Sequence, residues 1–250
     1  MAEKKAKKKR RKGAGKGSAF ERTMSKMLSL WWTADERDDI YWRTASSGGR
    51  ATMRRQRGKS TFGGAGDVQA VDPIGQPLMD LCTIEIKCGY STTSILDIVD
   101  RSDRMAKQVW DVWLRQVVKE SRSIGGGWML ISKRCKREIM VFINLPVYSL
   151  LLDAGAGLDT VTPLITVNPK TKIERLRKVT IVGTTWSEFA RVVTSDNVRK
   201  AIELRDNERK NIMTVPFKTI QPYPGREETG GRYQPGQDKE GEDACHLSAL

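Results

Sequence analysis

Gly66-Asp67-Val68-Gln69-Ala70-Val71-Asp72-Pro73, followed after a short interruption by Thr83-Ile84-Glu85-Ile86-Lys87-Cys88, is the part of the chain on which the fold turns. Apolar and polar residues largely alternate between Val68 and Cys88, the period of a half-buried strand, and Pro73-Ile74-Gly75-Gln76-Pro77 interrupts them with the residues of a reversal. The spacing predicts two antiparallel strands joined as a β-hairpin. With the reversal centred near Gln76, Asp67 falls opposite Glu85, at the Cβ separation of roughly 5 Å that cross-strand pairs share. Glu85 and Lys87 project from one face of their strand, and Ile84, Ile86 and Cys88 from the other. Two carboxylates and an ammonium then converge on one face of an apolar hairpin.

Carboxylates this close repel, so the chain must either protonate one or supply a cation. Carboxylate oxygens and a main-chain carbonyl suit Mg²⁺ or Mn²⁺. Zinc ligands are not arranged here: Cys82, Cys88, Cys135 and Cys245 show no C-x-x-C spacing, and His246 is the lone histidine. A magnesium site keeps waters, one of which can become a nucleophile, and it polarises a phosphoryl oxygen. Lys87 beside that water would orient it or neutralise charge developing in the transition state.

With Asp67 as first acid, Glu85 and Lys87 as an E-x-K element and Ile86 supplying a main-chain carbonyl, the pattern resembles the PD-(D/E)xK nuclease superfamily. Gly66 stands where that superfamily often has proline. Charges alternating on a solvated strand also produce E-x-K, and it is Asp67 at the matched distance that sets this instance apart. Lys16-Gly17-Ser18-Ala19-Phe20-Glu21-Arg22 opens a helical pattern through Phe20, Met24, Met27, Leu28 and Trp31. It is similar to the first helix of the archaeal-type Holliday-junction resolvases, a match that makes Glu21 the third acid of the metal site. Ser18-x-x-Glu21 is equally a capping box, and the two readings are compatible. Tyr41-Trp42-Arg43-Thr44-Ala45-Ser46-Ser47-Gly48-Gly49-Arg50 resembles the strand and loop of the same resolvases, with Ser47 at their loop serine; a Gly/Ser loop without chemistry reads the same way.

The resemblance covers about residues 16–145. It implies a restriction-endonuclease-like α/β core, a central mixed sheet flanked by helices at 18–32 and 102–120. It implies catalysis by Glu21, Ser47, Asp67, Glu85 and Lys87, with Mg²⁺, or Mn²⁺ in its place, held by Asp67, Glu85, Glu21 and the Ile86 carbonyl. The expected activity is structure-selective hydrolysis of branched DNA, above all four-way junctions, by a homodimer acting in recombination or repair. Two rivals stand beside it: an endonuclease of restriction or repair specificity, and a non-catalytic basic DNA-binding accessory protein.

Composition agrees with a nucleic-acid partner. The 250 residues carry a formal charge of +14, and residues 1–17 hold nine Lys/Arg against one Glu, so +8 of it belongs there. So charged and apolar-poor a segment predicts a disordered arm that neutralises phosphates. A second basic cluster, Arg43, Arg50, Arg54, Arg55, Arg57 and Lys59, has no acid between Asp39 and Asp67 and leads into the first acidic strand, where it would grip DNA. Gly58-Lys59-Ser60 resembles the end of a phosphate-binding loop, but Met53 replaces the glycine five positions earlier, which excludes a nucleotide cofactor. No apolar run is long enough for a membrane span or signal peptide, so a soluble, reducing, cytoplasmic setting is expected, with nucleoid or nuclear placement compatible.

Helical spacing through Met105, Val109, Trp110, Val112, Trp113 and Val117 predicts the 102–120 helix, with Trp110 and Trp113 as packing residues and Gln116, more than Gln108, matching a site-facing glutamine of the resolvases. Gly125-Gly126-Gly127 closes that unit. A strand pair at 128–132 and 139–145 encloses the basic turn Lys133-Arg134-Cys135-Lys136-Arg137. Beyond it come a helical turn at 148–152, a strand at 179–182 and helices at 186–193 and 197–205. The expected domains are a basic tail (1–17), a nuclease core (18–145), an extension packed on it (146–213) and a Pro/Gly-rich, largely disordered tail (214–250).

Overall fold

In the computed structural model, residues 13–44, 66–102, 106–159, 162, 164–167, 169 and 178–214 are described. Ser47, Arg50, Arg54, Arg55, Arg57 and Lys59 lie outside them, as do residues 1–12 of the basic arm and 215–250 of the C-terminal tail. Helix α1 (Gly13–Trp32) starts ahead of Ser18, within the segment expected to be disordered. Once a helix exists, each added residue brings a hydrogen bond, so the turns at Ser18 carry the helix back over Gly13–Gly17. Ser18 therefore sits inside the helix and does not cap it. Met24 and Leu28, fully buried, and Trp32 line the stripe of α1 that packs on β1 (Tyr41–Arg43) and β3 (Thr83–Cys88).

The expected hairpin does not form. Strand β2 (Val68–Ala70) pairs antiparallel with β1, Arg43 opposite Val68, and the chain then runs through a 3₁₀ turn at Pro73–Gly75 and helix α2 (Gln76–Leu81) before it reaches β3. The residues read as a reversal are a helix start. Asp72 caps the turn by accepting the Ile74 N–H, and Pro73 and Pro77 occupy first-turn positions where their missing N–H groups lose no bond. Leu78 and Leu81 then fall at helical spacing into the core. With a helix between β2 and β3, the chain leading into β2 runs the same way as β3, and Gly66, just ahead of β2, forms a parallel bridge to Ile84.

Helix α3 (Leu96–Val99) and helix α4 (Val109–Ser121) cross from β3 to β4 (Trp128–Lys133), which lies parallel to it, Glu85 opposite Leu130. Helix α4 begins at Val109, later than residue 102. Gln108 is extended there (φ −91°, ψ 166°) and closes a reciprocal capping box with Asp111. The Asp111 carboxylate, fully buried, also pairs with Arg101. Strand β5 (Ile139–Asn144) pairs antiparallel with β4, as expected.

After helix α5 (Leu145–Asp153), strands β6 (Ile165–Val167) and β7 (Val179–Thr185) complete the sheet in the order β3-β4-β5-β7-β6, with β7 antiparallel to both neighbours. Helices α6 (Trp186–Val192) and α7 (Ser195–Thr214) follow. Alternation along the strands divides the core into two layers. Ile84, Ile86, Met129, Ile131, Val141 and Ile143 face α1, α2, α5 and α6; Leu130, Phe142 and Ile181 face α3 and α4. The architecture is α/β, a five-stranded mixed sheet with helices on both faces. These elements belong to one unit that extends to Ile212; of a second, Met213–Leu250, only the end of α7 is described. No helix among the described residues is long and apolar enough to cross a membrane.

Candidate active site

Asp67 is set at the joint between the β1–β2 ribbon and the large sheet. Gly66, at φ +91°, makes the turn into it; a Cβ there would collide with the Ile84 carbonyl oxygen, so the position needs glycine. The Asp67 N–H donates to the Ile84 carbonyl (2.8 Å), and its own carbonyl accepts the Thr44 N–H (3.0 Å). Its carboxylate Oδ2 accepts the Ile86 N–H at 2.9 Å. Asp67 thus brackets Glu85 by bonding to the backbone on either side of it. In extended chain the N–H and C=O of one residue share an edge, so the Ile86 carbonyl opens to the edge where Asp67 sits.

Glu85 and Lys87 turn to the opposite face from Ile84 and Ile86, beneath α4. There, Lys87 Nζ donates to Glu85 Oε2 (2.6 Å) and to Gln116 Oε1 (3.2 Å), while Gln116 Nε2 donates to Glu85 Oε1 (2.7 Å) and to Glu120 Oε1 (3.3 Å). This ring orients the Gln116 amide, since Lys87 can only donate: Gln116 turns Oε1 toward Lys87 and keeps Nε2 for Glu85 and Glu120. Glu85 is 1% exposed. Burial first, and the Asp67 carboxylate second, push its pKa up to about 9, against the opposing pull of Lys87. Burial works to lower the Lys87 pKa, but attraction and hydrogen bonding to Glu85 outweigh it and leave the pKa raised. Lys87 is accordingly an ammonium at neutral pH, suited to holding and neutralising rather than to taking a proton.

A family model described as "Phage putative PDDEXK endonuclease" matches residues 12–200, about three-quarters of the chain. The chain belongs to that family. It is a member of the PD-(D/E)xK superfamily, and the family is one of nucleases. No curated protein and no solved structure matches it.

In this phage-type PD-(D/E)xK chain the donors available for a cation are hard oxygens: the Asp67 and Glu85 carboxylates and the Ile86 carbonyl. Two buried carboxylates near each other, the pKa of Glu85 pushed up by burial first and by Asp67 second, form a site short of positive charge, which fits a divalent ion. No three Asp, Glu, Cys or His side chains converge as metal ligands among the described residues. Glu21 does not join Asp67 and Glu85: its carboxylate accepts Arg43 Nε at 2.9 Å and pairs with Nη2 at 2.8 Å, rather than reaching back to Ser18. Arg43 of the basic cluster is thus held by an acid beside the site. Trp110 and Trp113 are packing residues, 3% and 6% exposed.

Glu120 was not singled out by the sequence. It lies one helical turn beyond Gln116, and its Oε2 is buried with no hydrogen-bond partner. Spacing alone links Glu120 to Gln116, but its approach to Glu85 depends on how α4 crosses β3, which no local pattern encodes.

Proposed function

We propose that the protein is a Mg²⁺-dependent DNA endonuclease selective for branched DNA, four-way junctions first, and acting as a homodimer. The observation that carries the reading is the closed ring of Glu85, Lys87 and Gln116 beside Asp67. Asp67, Glu85 and the Ile86 carbonyl would hold the ion, with Mn²⁺ an acceptable substitute. When bound, it supplies a polarised phosphoryl oxygen and a water made acidic enough to attack. Lys87 stands fixed between Glu85 and Gln116, where its charge meets the negative charge growing on the phosphorus oxygens. Arg43, on meeting a DNA phosphate, releases Glu21 toward the site. The branched substrate and the dimer rest on the likeness of Lys16–Arg22 and Tyr41–Arg50 to the resolvases.

The test is a synthetic four-way junction, an equal-length duplex and a flap, each incubated with the full chain in Mg²⁺ and in Mn²⁺. Discrete, paired nicks in the junction are expected, with Asp67→Asn and Glu85→Gln cutting at least about 100-fold more slowly while binding is retained. Equal cutting of duplex and junction removes the branch selectivity and leaves the nuclease. Binding without cutting in either metal favours the accessory role.

A further inference from the structure

Under α4, the sheet opens beside Lys87 into a cavity of about 120 Å³. Tyr90, Trp110, Trp113 and Phe142 wall it. Their rings meet edge to face or tilted, Tyr90 to Trp113 at 4.8 Å, Trp110 to Trp113 at 5.2 Å and Trp110 to Phe142 at 4.9 Å. An apolar cavity of about 150 Å³ holds benzene whole, so this smaller space seats the edge of a planar ring rather than enclosing one. One further feature says what kind of ring. Tyr90 is half-exposed, while Trp110, Trp113 and Phe142 are buried behind it and support it. Lys133, at the end of β4, and Arg134, in the turn after it, stand at the cavity and make it positive. A half-exposed aromatic ring with cations beside it has the chemistry of a nucleotide site.

We propose that this cavity takes one unstacked base of the DNA strand being cut. The base lies against the half-exposed Tyr90 ring at the cavity, and its phosphate meets Lys133 and Arg134. The inference rests on the nuclease reading and deepens it, because Lys87 belongs to both the cavity and the acidic ring, which puts the captured base next to the phosphate under attack. Pulling a base from continuous duplex costs pairing and stacking, and the cost is least where the strand is already unpaired. Such a pocket favours branch points over duplex without reading sequence.

The test walks 2-aminopurine through the nucleotides flanking the mapped cut and records its fluorescence on binding to full-length Glu85→Gln protein. One position should brighten several-fold. Tyr90→Ala, at a half-exposed ring, should reduce that rise and weaken binding about 5- to 100-fold, the range carried by base–aromatic stacking. On a strand with an abasic nucleotide at that position, Tyr90→Ala and its parent should bind alike. If the wild type cuts but no position brightens, or the abasic strand is bound and cut as well as the intact one, the pocket proposal is overturned and the nuclease stands. If no substrate is cut in Mg²⁺ or Mn²⁺, both fall.

Discussion

Glu85 places an acid in the driest part of the sheet, and this ties stability to pH. Its folded pKa, about 9 against an ordinary 4.5, means that the folded chain keeps a proton which the unfolded chain has released. That contribution to stability is complete below about pH 4.5 and is lost as pH rises toward 9. In EDTA, Glu85→Gln should therefore raise Tm more at pH 8.5 than at pH 5, any pH-independent cost of the amide cancelling in the comparison. Adding Mg²⁺ at pH 8.5 should raise the wild-type Tm and leave the variant nearly unmoved. Equal gains at both pH values would show that Glu85 is not held protonated. Asp67, Glu85 and Lys87 were legible as a group because Asp67 directly precedes one strand and Glu85 and Lys87 lie in another, and the alternation of both is written in neighbouring residues. Glu120 was not, because its relation to Glu85 is made by the path of a helix.

Gly66 shows what an element can and cannot reveal of itself. The alternation of Val68 to Cys88 correctly assigned faces, Ile84 and Ile86 to one and Glu85 and Lys87 to the other. The pairing failed because Pro73 and Pro77 serve a turn and a helix start equally well, and only Leu78 and Leu81 argue for the helix. Asp67 reached Glu85 all the same: a parallel bridge of Gly66 to Ile84 and an antiparallel pair of Asp67 with Glu85 put the same residues side by side. The late start of α4 has a similar origin, since the apolar spacing extends back to Met105 while the Gln108 and Asp111 cap decides where the helix begins. Gly66→Ala should lower the unfolding free energy by about 2–3 kcal/mol in urea titration, since it adds a Cβ at φ +91° against the Ile84 carbonyl. An unchanged midpoint would mean that the bridge has no structural weight.

Across the whole molecule, the sheet draws its strands from widely separated stretches of chain. Strand β7 lies between β5 and β6, and Val182 and Phe189 fill the same core as Ile84 and Ile86. A fragment ending at residue 145 would leave β5 with Val141, Phe142 and Ile143 unpaired along one side, an open edge of the kind that recruits other chains. Residues 18–145 expressed alone should aggregate or melt without cooperativity, whereas residues 13–214 should melt in a single transition; a soluble, cooperative short fragment would refute this. The same strand order bears on synthesis. When Lys87 leaves the ribosome, the strand that closes β5 is still untranslated, so a nascent chain carries its acidic residues well before it has the sheet that holds them in register. Hydrolytic competence then waits until Val179–Thr185 has been made, which keeps a phosphodiester-cleaving protein inert during the synthesis of everything before it.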